Sequence, residues 1–168
     1  MRCTSVFYKN VDAWLLAKKE GRKFIVNQGG ARSSKTYSIL QLLLLIAIKN
    51  QGDKAKKISV ISESVPHLLK GAISDFEKIL KAEGVYSSSY IFQAQHIYKI
   101  GDSIIEFFSA EDEGKVTGPS REIVYFNECN NVPYKIFDAA IIRSSDAVFI
   151  DFNPVQEFYV HEKILIER

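Results

Sequence analysis

The sequence predicts an α/β domain with a mainly parallel central sheet flanked by helices and an inserted antiparallel hairpin. Three observations carry that expectation. Short apolar, β-rich runs alternate along the chain with longer runs at helical spacing. Two β-rich runs, His96 to Ile100 and Ser103 to Phe108, are separated only by Gly101-Asp102, a dipeptide suited to a tight hairpin turn. The first β-rich run passes into the first long helical run through a glycine-rich turn, Gly29-Gly30.

Taken in order, Lys23 to Gln28 is a short apolar run bounded by Gly21 and Gly29, which predicts a buried strand. From Lys35 to about Asn50 the pattern is helical, and Gly52 stands where glycine commonly follows a helix C-terminus. Lys57 to Ser62 is the second β-rich stretch. After Pro66, the apolar positions Leu68, Leu69, Ala72, Ile73, Phe76, Ile79 and Leu80 mark an amphipathic helix that ends by Gly84. The hairpin follows, and Ser109 to Ser120, polar with two Gly and one Pro, reads as an exposed loop. Glu122 to Phe126 is a further strand, Tyr134 to about Arg143 a helix, and Ala147 to Asp151 a last strand. A sheet of this kind presents its binding crevice at the C-terminal ends of its strands.

Composition narrows the classes. The 168 residues carry 22 Lys plus Arg against 20 Asp plus Glu, with 46% hydrophobic residues, which suits one domain with a single core. A charged fraction of 25% with eleven Phe, eight Tyr and one Trp excludes a disordered tail, a collagen-like repeat and a disulfide scaffold. A net charge of +2 names no nucleic-acid partner by itself. Cys3 and Cys129 form no disulfide framework, and a reducing compartment is expected. Ile39 to Ile48 is about half the length of a membrane helix, so no membrane association is expected. No secretory signal is visible.

The sharpest motif is Gly29-Gly30-Ala31-Arg32-Ser33-Ser34-Lys35-Thr36, between the first strand and the first long helix. In the pattern G-x-x-x-x-G-K-[ST], backbone N–H groups surround a phosphate, the Lys neutralises β/γ oxygens and the Ser/Thr hydroxyl ligates Mg²⁺. Gly29, Lys35 and Thr36 match, while Ser34 replaces the second Gly, which normally permits positive φ and close phosphate approach. The expectation is an ATP site formed by Gln28 and residues 29–36.

ATP hydrolysis also needs carboxylates near the metal and the attacking water, presented at the end of a neighbouring strand. Ile123-Val124-Tyr125-Phe126-Asn127-Glu128 has that shape, with Glu128 as candidate general base. Asn127 stands where an Asp usually assists Mg²⁺ through its water shell; an amide serves as acceptor but carries no charge.

These two motifs, with the later Asp151-Phe152-Asn153-Pro154, resemble the ATPase domain of a tailed-phage terminase large subunit, over about Phe24 to Pro154. The resemblance implies a P-loop NTPase fold of the class with an extra strand between the phosphate-loop strand and the acidic strand, a place that the Ile58 to Ser62 segment would fill. It implies catalytic roles for Lys35, Glu128 and Arg32, the last by the γ-phosphate. Mg²⁺ would be held by Thr36 and, through water, Asn127, and Asn153 would be the coupling residue. It further implies double-stranded DNA as partner, a homo-oligomeric ring with portal and small terminase subunit, and the cytoplasm of an infected host cell. The domain division expected is an N-terminal segment, 1–22, and a truncated ATPase domain, 23–168; Tyr8, Trp14 and Gln28 are candidate adenine contacts, with core packing or interface burial an equal reading of the two aromatics. The family's nuclease domain has no counterpart here, so no DNA cleavage is expected. Two other functions stay open: a non-hydrolysing nucleotide-binding scaffold, which Ser34 and Asn127 favour, and a helicase-like P-loop ATPase.

The remaining residues have plainer readings. Lys115 and Arg121 flank the polar loop and read as solvated, with a contact to DNA or a neighbour's phosphate as the alternative. Arg143 suits a helix C-terminus. His67, His96 and His161 share no ligand spacing, so no zinc site is expected, and Cys129 reads as a small buried residue.

Overall fold

Seven strands among the described residues form one sheet in the order β1-β7-β6-β2-β5-β4-β3. The structure is a computed structural model that describes residues 3–30, 32–87 and 91–165. The strands are β1 (Phe24–Gln28), β2 (Lys57–Ser62), β3 (Ile91–Phe92), β4 (Ile97–Ile100), β5 (Ser103–Ser109), β6 (Arg121–Phe126) and β7 (Ser144–Phe152). The helices are α1 (Ser5–Lys19), α2 (Lys35–Lys49), α3 (Val65–Lys70), α4 (Ala72–Ala82), α5 (Glu113–Thr117) and α6 (Tyr134–Ile142). Strands β1, β7, β6, β2 and β5 run parallel, and β4 and β3 continue the sheet antiparallel.

The strand period of two separates the cores. Ile123 and Tyr125 of β6, with Ala147 and Phe149 of β7, join Leu40, Leu43, Phe76 and Leu80 of α2 and α4. Their neighbours Val124, Phe126, Val148 and Ile150 turn to the other face and pack with Ile136, Phe137 and Ala140 of α6. The result is three layers, helix–sheet–helix. Helix α2 has Leu40 and Leu42 to Leu44 fully buried, as a helix apolar on nearly every side requires. Helix α1 lies beside it, capped by Thr4, whose hydroxyl accepts from Phe7 N and sits 2.9 Å from Ser38 Oγ on α2.

Four sequence expectations change. The strand between β1 and β6 is β7, whereas Lys57–Ser62 lies on the far side of β6. Both strands are apolar enough to be buried, so composition does not rank them; the crossover through α6 does. The helix expected over 68–80 is two helices, because Gly71, at φ −107° and ψ −101°, breaks the path between α3 and α4. The polar loop 109–120 contains α5, whose Asp112 cap accepts from Lys115 N at 3.1 Å and whose Val116 is fully buried. Arg121 is not solvated: it is wholly buried, its Nη2 donating to the carbonyls of Lys115, Val116 and Pro119. Its guanidinium lies over the Phe108 ring, next to a register shift between Arg121 and Ile123 and at the end of β6 opposite the Asn127 terminus.

Beyond β7 the chain folds back. Phe152 and Phe158 meet edge to face at 4.9 Å, and Tyr159 Oη lies 3.0 Å from the Cys129 carbonyl and 2.8 Å from that of Val132.

Candidate active site

Three strand ends converge at the N-terminus of α2. The turn after β1 reaches α2 through Arg32 and Ser34, both with positive φ (60° and 62°), so Ser34 adopts the left-handed backbone that the motif's glycine usually supplies. Lys35 Nζ is the hub of this loop, donating to Gly29 O at 2.7 Å, Gly30 O at 2.9 Å and Ser33 Oγ at 3.1 Å. It also donates to Asn153 Oδ1, just past the end of β7, at 3.1 Å. One turn of α2 therefore holds the loop and the strand exit together.

Beneath Lys35 lies a buried polar cluster. Asp151 is 1% exposed, and its Oδ2 accepts from Thr36 Oγ1 at 2.7 Å and from Tyr125 Oη at 2.8 Å. Its Oδ1 accepts from the Glu128 backbone N–H at 2.7 Å. Asn127, 3% exposed, directs Nδ2 at Thr36 Oγ1 (3.2 Å) and Asp151 Oδ1 (3.4 Å). Complete burial, with the Asp151 charge second, pushes the Tyr125 hydroxyl well above its ordinary range, so it stays a donor to that carboxylate.

Strand alternation would send Glu128 to the α6 side, opposite Asn127. Its left-handed backbone, φ 53°, turns it back toward the crevice instead. There its Oε2 meets His67 Nε2 of α3 at 3.1 Å. A cleft of about 220 Å³ opens above, lined by Arg32 to Thr36, Asp75, Glu128 and the exit of β7 from Asp151 to Asn153.

No family model matches the sequence, and no curated protein matches it. Solved structures do match. A large terminase from a thermophilic bacteriophage aligns with a TM-score of 0.73 at 17% identity, over 92% of this chain and 40% of that one. A structure of that terminase in complex with ATP-gamma-S aligns with a TM-score of 0.71 at 16% identity, over 91% and 38%. The large terminase ATPase domain of a Thermus phage aligns with a TM-score of 0.58 at 12% identity, over 96% and 74%. The fold is that of a large-terminase ATPase domain. The chain spans about two fifths of the large-terminase chain it matches.

Within this terminase fold, the crevice unites Arg32, Ser33, Ser34, Lys35, Thr36, Glu128 and Asn153 from the sequence-expected set, with Asn127 just below. Gly29 and Gly30 contribute carbonyls to Lys35, Gln28 ends β1 exposed, and Ala31 lies outside the described residues. Tyr8 is 60% exposed on α1, and neither it nor Trp14 lines the cleft. Sequence reasoning missed the environments of Asp151, His67 and Asp75. A signal existed only for Asp151: an apolar run ending in an acid, the same shape that drew attention to Glu128. His67 and Asp75 come from helices whose place over the crevice no local pattern reveals.

Proposed function

We propose that the chain is the ATPase part of a viral DNA-packaging motor of the large-terminase type, coupling ATP hydrolysis to movement of double-stranded DNA into a procapsid. The observation that carries this reading is the 3.1 Å contact between Lys35 Nζ and Asn153 Oδ1, with Glu128 facing the same cleft. A phosphate-neutralising cation, a strand-end amide and a carboxylate then share one crevice, and a ligand that draws Lys35 away must break its bond to Asn153. Asn153 is therefore suited to report nucleotide state. Lys35 and Arg32 would bind the β- and γ-phosphates, residues 29–36 would cradle them, and Glu128 would orient and deprotonate the attacking water. Gln28, at the end of β1 beside the phosphate loop, is the proposed adenine contact; Tyr8 and Trp14 do not line the cleft, and Trp14 packs against the core.

The oxygen-rich floor of the cleft, with the Thr36 hydroxyl on the first turn of α2, fits a divalent cation. Mg²⁺, when bound, neutralises charge on the β- and γ-phosphate oxygens. The proposed setting is a ring of copies with portal protein and small terminase subunit in the cytoplasm of an infected host.

The test is Mg²⁺-dependent ATP binding and phosphate release, with and without double-stranded DNA. Lys35→Ala is expected to abolish nucleotide binding while the domain stays folded. Glu128→Gln is expected to bind normally and lose about 10²- to 10⁴-fold in turnover, the usual contribution of a general base. Unchanged ATP affinity in folded Lys35→Ala overturns the assignment. The Glu128–His67 contact at 3.1 Å favours a second reading, a nucleotide-binding switch with its base held aside. Binding without phosphate release would establish that reading, and strand unwinding would point to a helicase-like motor.

A further inference from the structure

The strand that usually supplies the metal-side acid supplies an amide here, Asn127. The charge has moved to the neighbouring strand. The last residues paired between β6 and β7 are Phe126 and Ile150, so Asn127 and Asp151 stand side by side one step further on. Both keep the parity of Tyr125 and Phe149 and face α2. Because β7 separates β1 from β6, the end of β7 is one strand spacing, about 4.8 Å, nearer the phosphate-loop strand than the end of β6.

We infer that Asp151 is the carboxylate that holds the Mg²⁺ water shell, with Asn127 a neutral bracket that orients it. Four observations carry this. Asp151 Oδ2 accepts directly from Thr36 Oγ1 at 2.7 Å, the hydroxyl expected to ligate the metal. Asp151 also lines the cleft although it is almost wholly buried. Its other donors, Tyr125 Oη, Glu128 N and Asn127 Nδ2, fix the carboxylate from below and from the side. No cation among the described ion pairs neutralises it. A buried carboxylate held by neutral donors beside a metal-ligating hydroxyl is the arrangement expected of an outer-shell acid. Asn127 follows from the same geometry: an Asp there would set two carboxylates about one hydrogen bond apart, whereas an amide donates to the one that remains.

This rests on the ATP reading above, and the experiment separates the two. Dissociation constants for ATP-gamma-S are measured by calorimetry with Mg²⁺ and with EDTA, on the wild-type chain, Asp151→Asn and the exchanged pair Asn127→Asp/Asp151→Asn. The wild type is expected to bind about tenfold or more tightly with Mg²⁺, the scale of an outer-shell metal contact. Asp151→Asn is expected to bring the ratio within about twofold while retaining EDTA-state affinity, and the exchanged pair to recover part of it. Mn²⁺ bound in the presence of ATP-gamma-S, read by electron paramagnetic resonance, should follow the same order. A wild-type ratio preserved in Asp151→Asn overturns the inference and leaves the ATP site standing. No binding by the wild type in either condition overturns the ATP reading itself. Should Asp151→Asn fail to fold, Asp151→Ser stands in for it, and a folded variant that keeps the wild-type Mg²⁺ ratio overturns the inference.

Discussion

Ser34 carries the clearest local tension in the site. It holds φ 62° and ψ 17° at the start of α2, with no side-chain capping bond to offset a backbone region that costs an L-residue about 1–2 kcal/mol. Glycine occupies that region freely but adds about 0.4–1 kcal/mol of unfolded-state entropy. Ser34→Gly is therefore expected to be neutral or stabilising by up to about 1 kcal/mol, read from the urea midpoint, with ATP affinity at least equal to wild type. A loss above about 1 kcal/mol would mean that the Ser34 side chain makes a necessary contact. Residues 29–36 were legible in the sequence because loop chemistry is written at local spacing. Asp151 was legible only as the end of a local run, since its partners Thr36, Tyr125 and Glu128 are 115, 26 and 23 residues away.

Among the elements, the β4–β5 hairpin is bolted to the end of α2. Gln51 Nε2 donates to Ala47 O at 2.6 Å, its Oε1 accepts from Asp102 N at 2.6 Å, and Asp102 Oδ2 accepts from Gly52 N at 2.9 Å. Gly101 sits under this bridge at φ 61°, and a Cβ there would run into the Gln51 side-chain amide. Gly101→Ala is expected to cost about 1–3 kcal/mol, from the left-handed backbone and the displaced amide together, measured by chemical denaturation. The double variant Gly101→Ala/Gln51→Ala should lose less than the two single losses added, because both disrupt one bridge. The hairpin itself was legible from Gly101-Asp102 flanked by β-rich runs. Its anchor to α2 was not, and neither was the break at Gly71, since a glycine inside an amphipathic pattern reads the same whether the helix continues or stops.

At the scale of the whole molecule, burial sets the alkaline limit. It pushes the Cys129 thiol from 9.0 up to about 12, and it raises the Tyr98 and Tyr125 hydroxyls above their ordinary 10.0. The folded state keeps these protons after the unfolded chain has lost them. Their contribution to stability is thus complete below about pH 9 and is lost as pH rises through the folded values. Each group should contribute a slope of about 1.4 kcal/mol per pH unit in that window. Urea midpoints at pH 8 and pH 11 check this, and equal midpoints would contradict it. The α/β class was legible from alternation alone, but the sheet order was not, because Lys57–Ser62 and Ser144–Phe152 are both apolar enough to be buried and only the crossover decides which lies beside β1.

The return of the chain after β7 has a mechanical corollary. Phe158 and Tyr159 form an aromatic pad that anchors the exit of β7 to the carbonyls of Cys129 and Val132, just past Glu128. The two strand exits are stitched together behind the crevice as well as meeting inside it. If the proposed motor displaces Asn153, the movement is expected to carry to the backbone that orients Glu128, the two loops acting as the arms of a single lever.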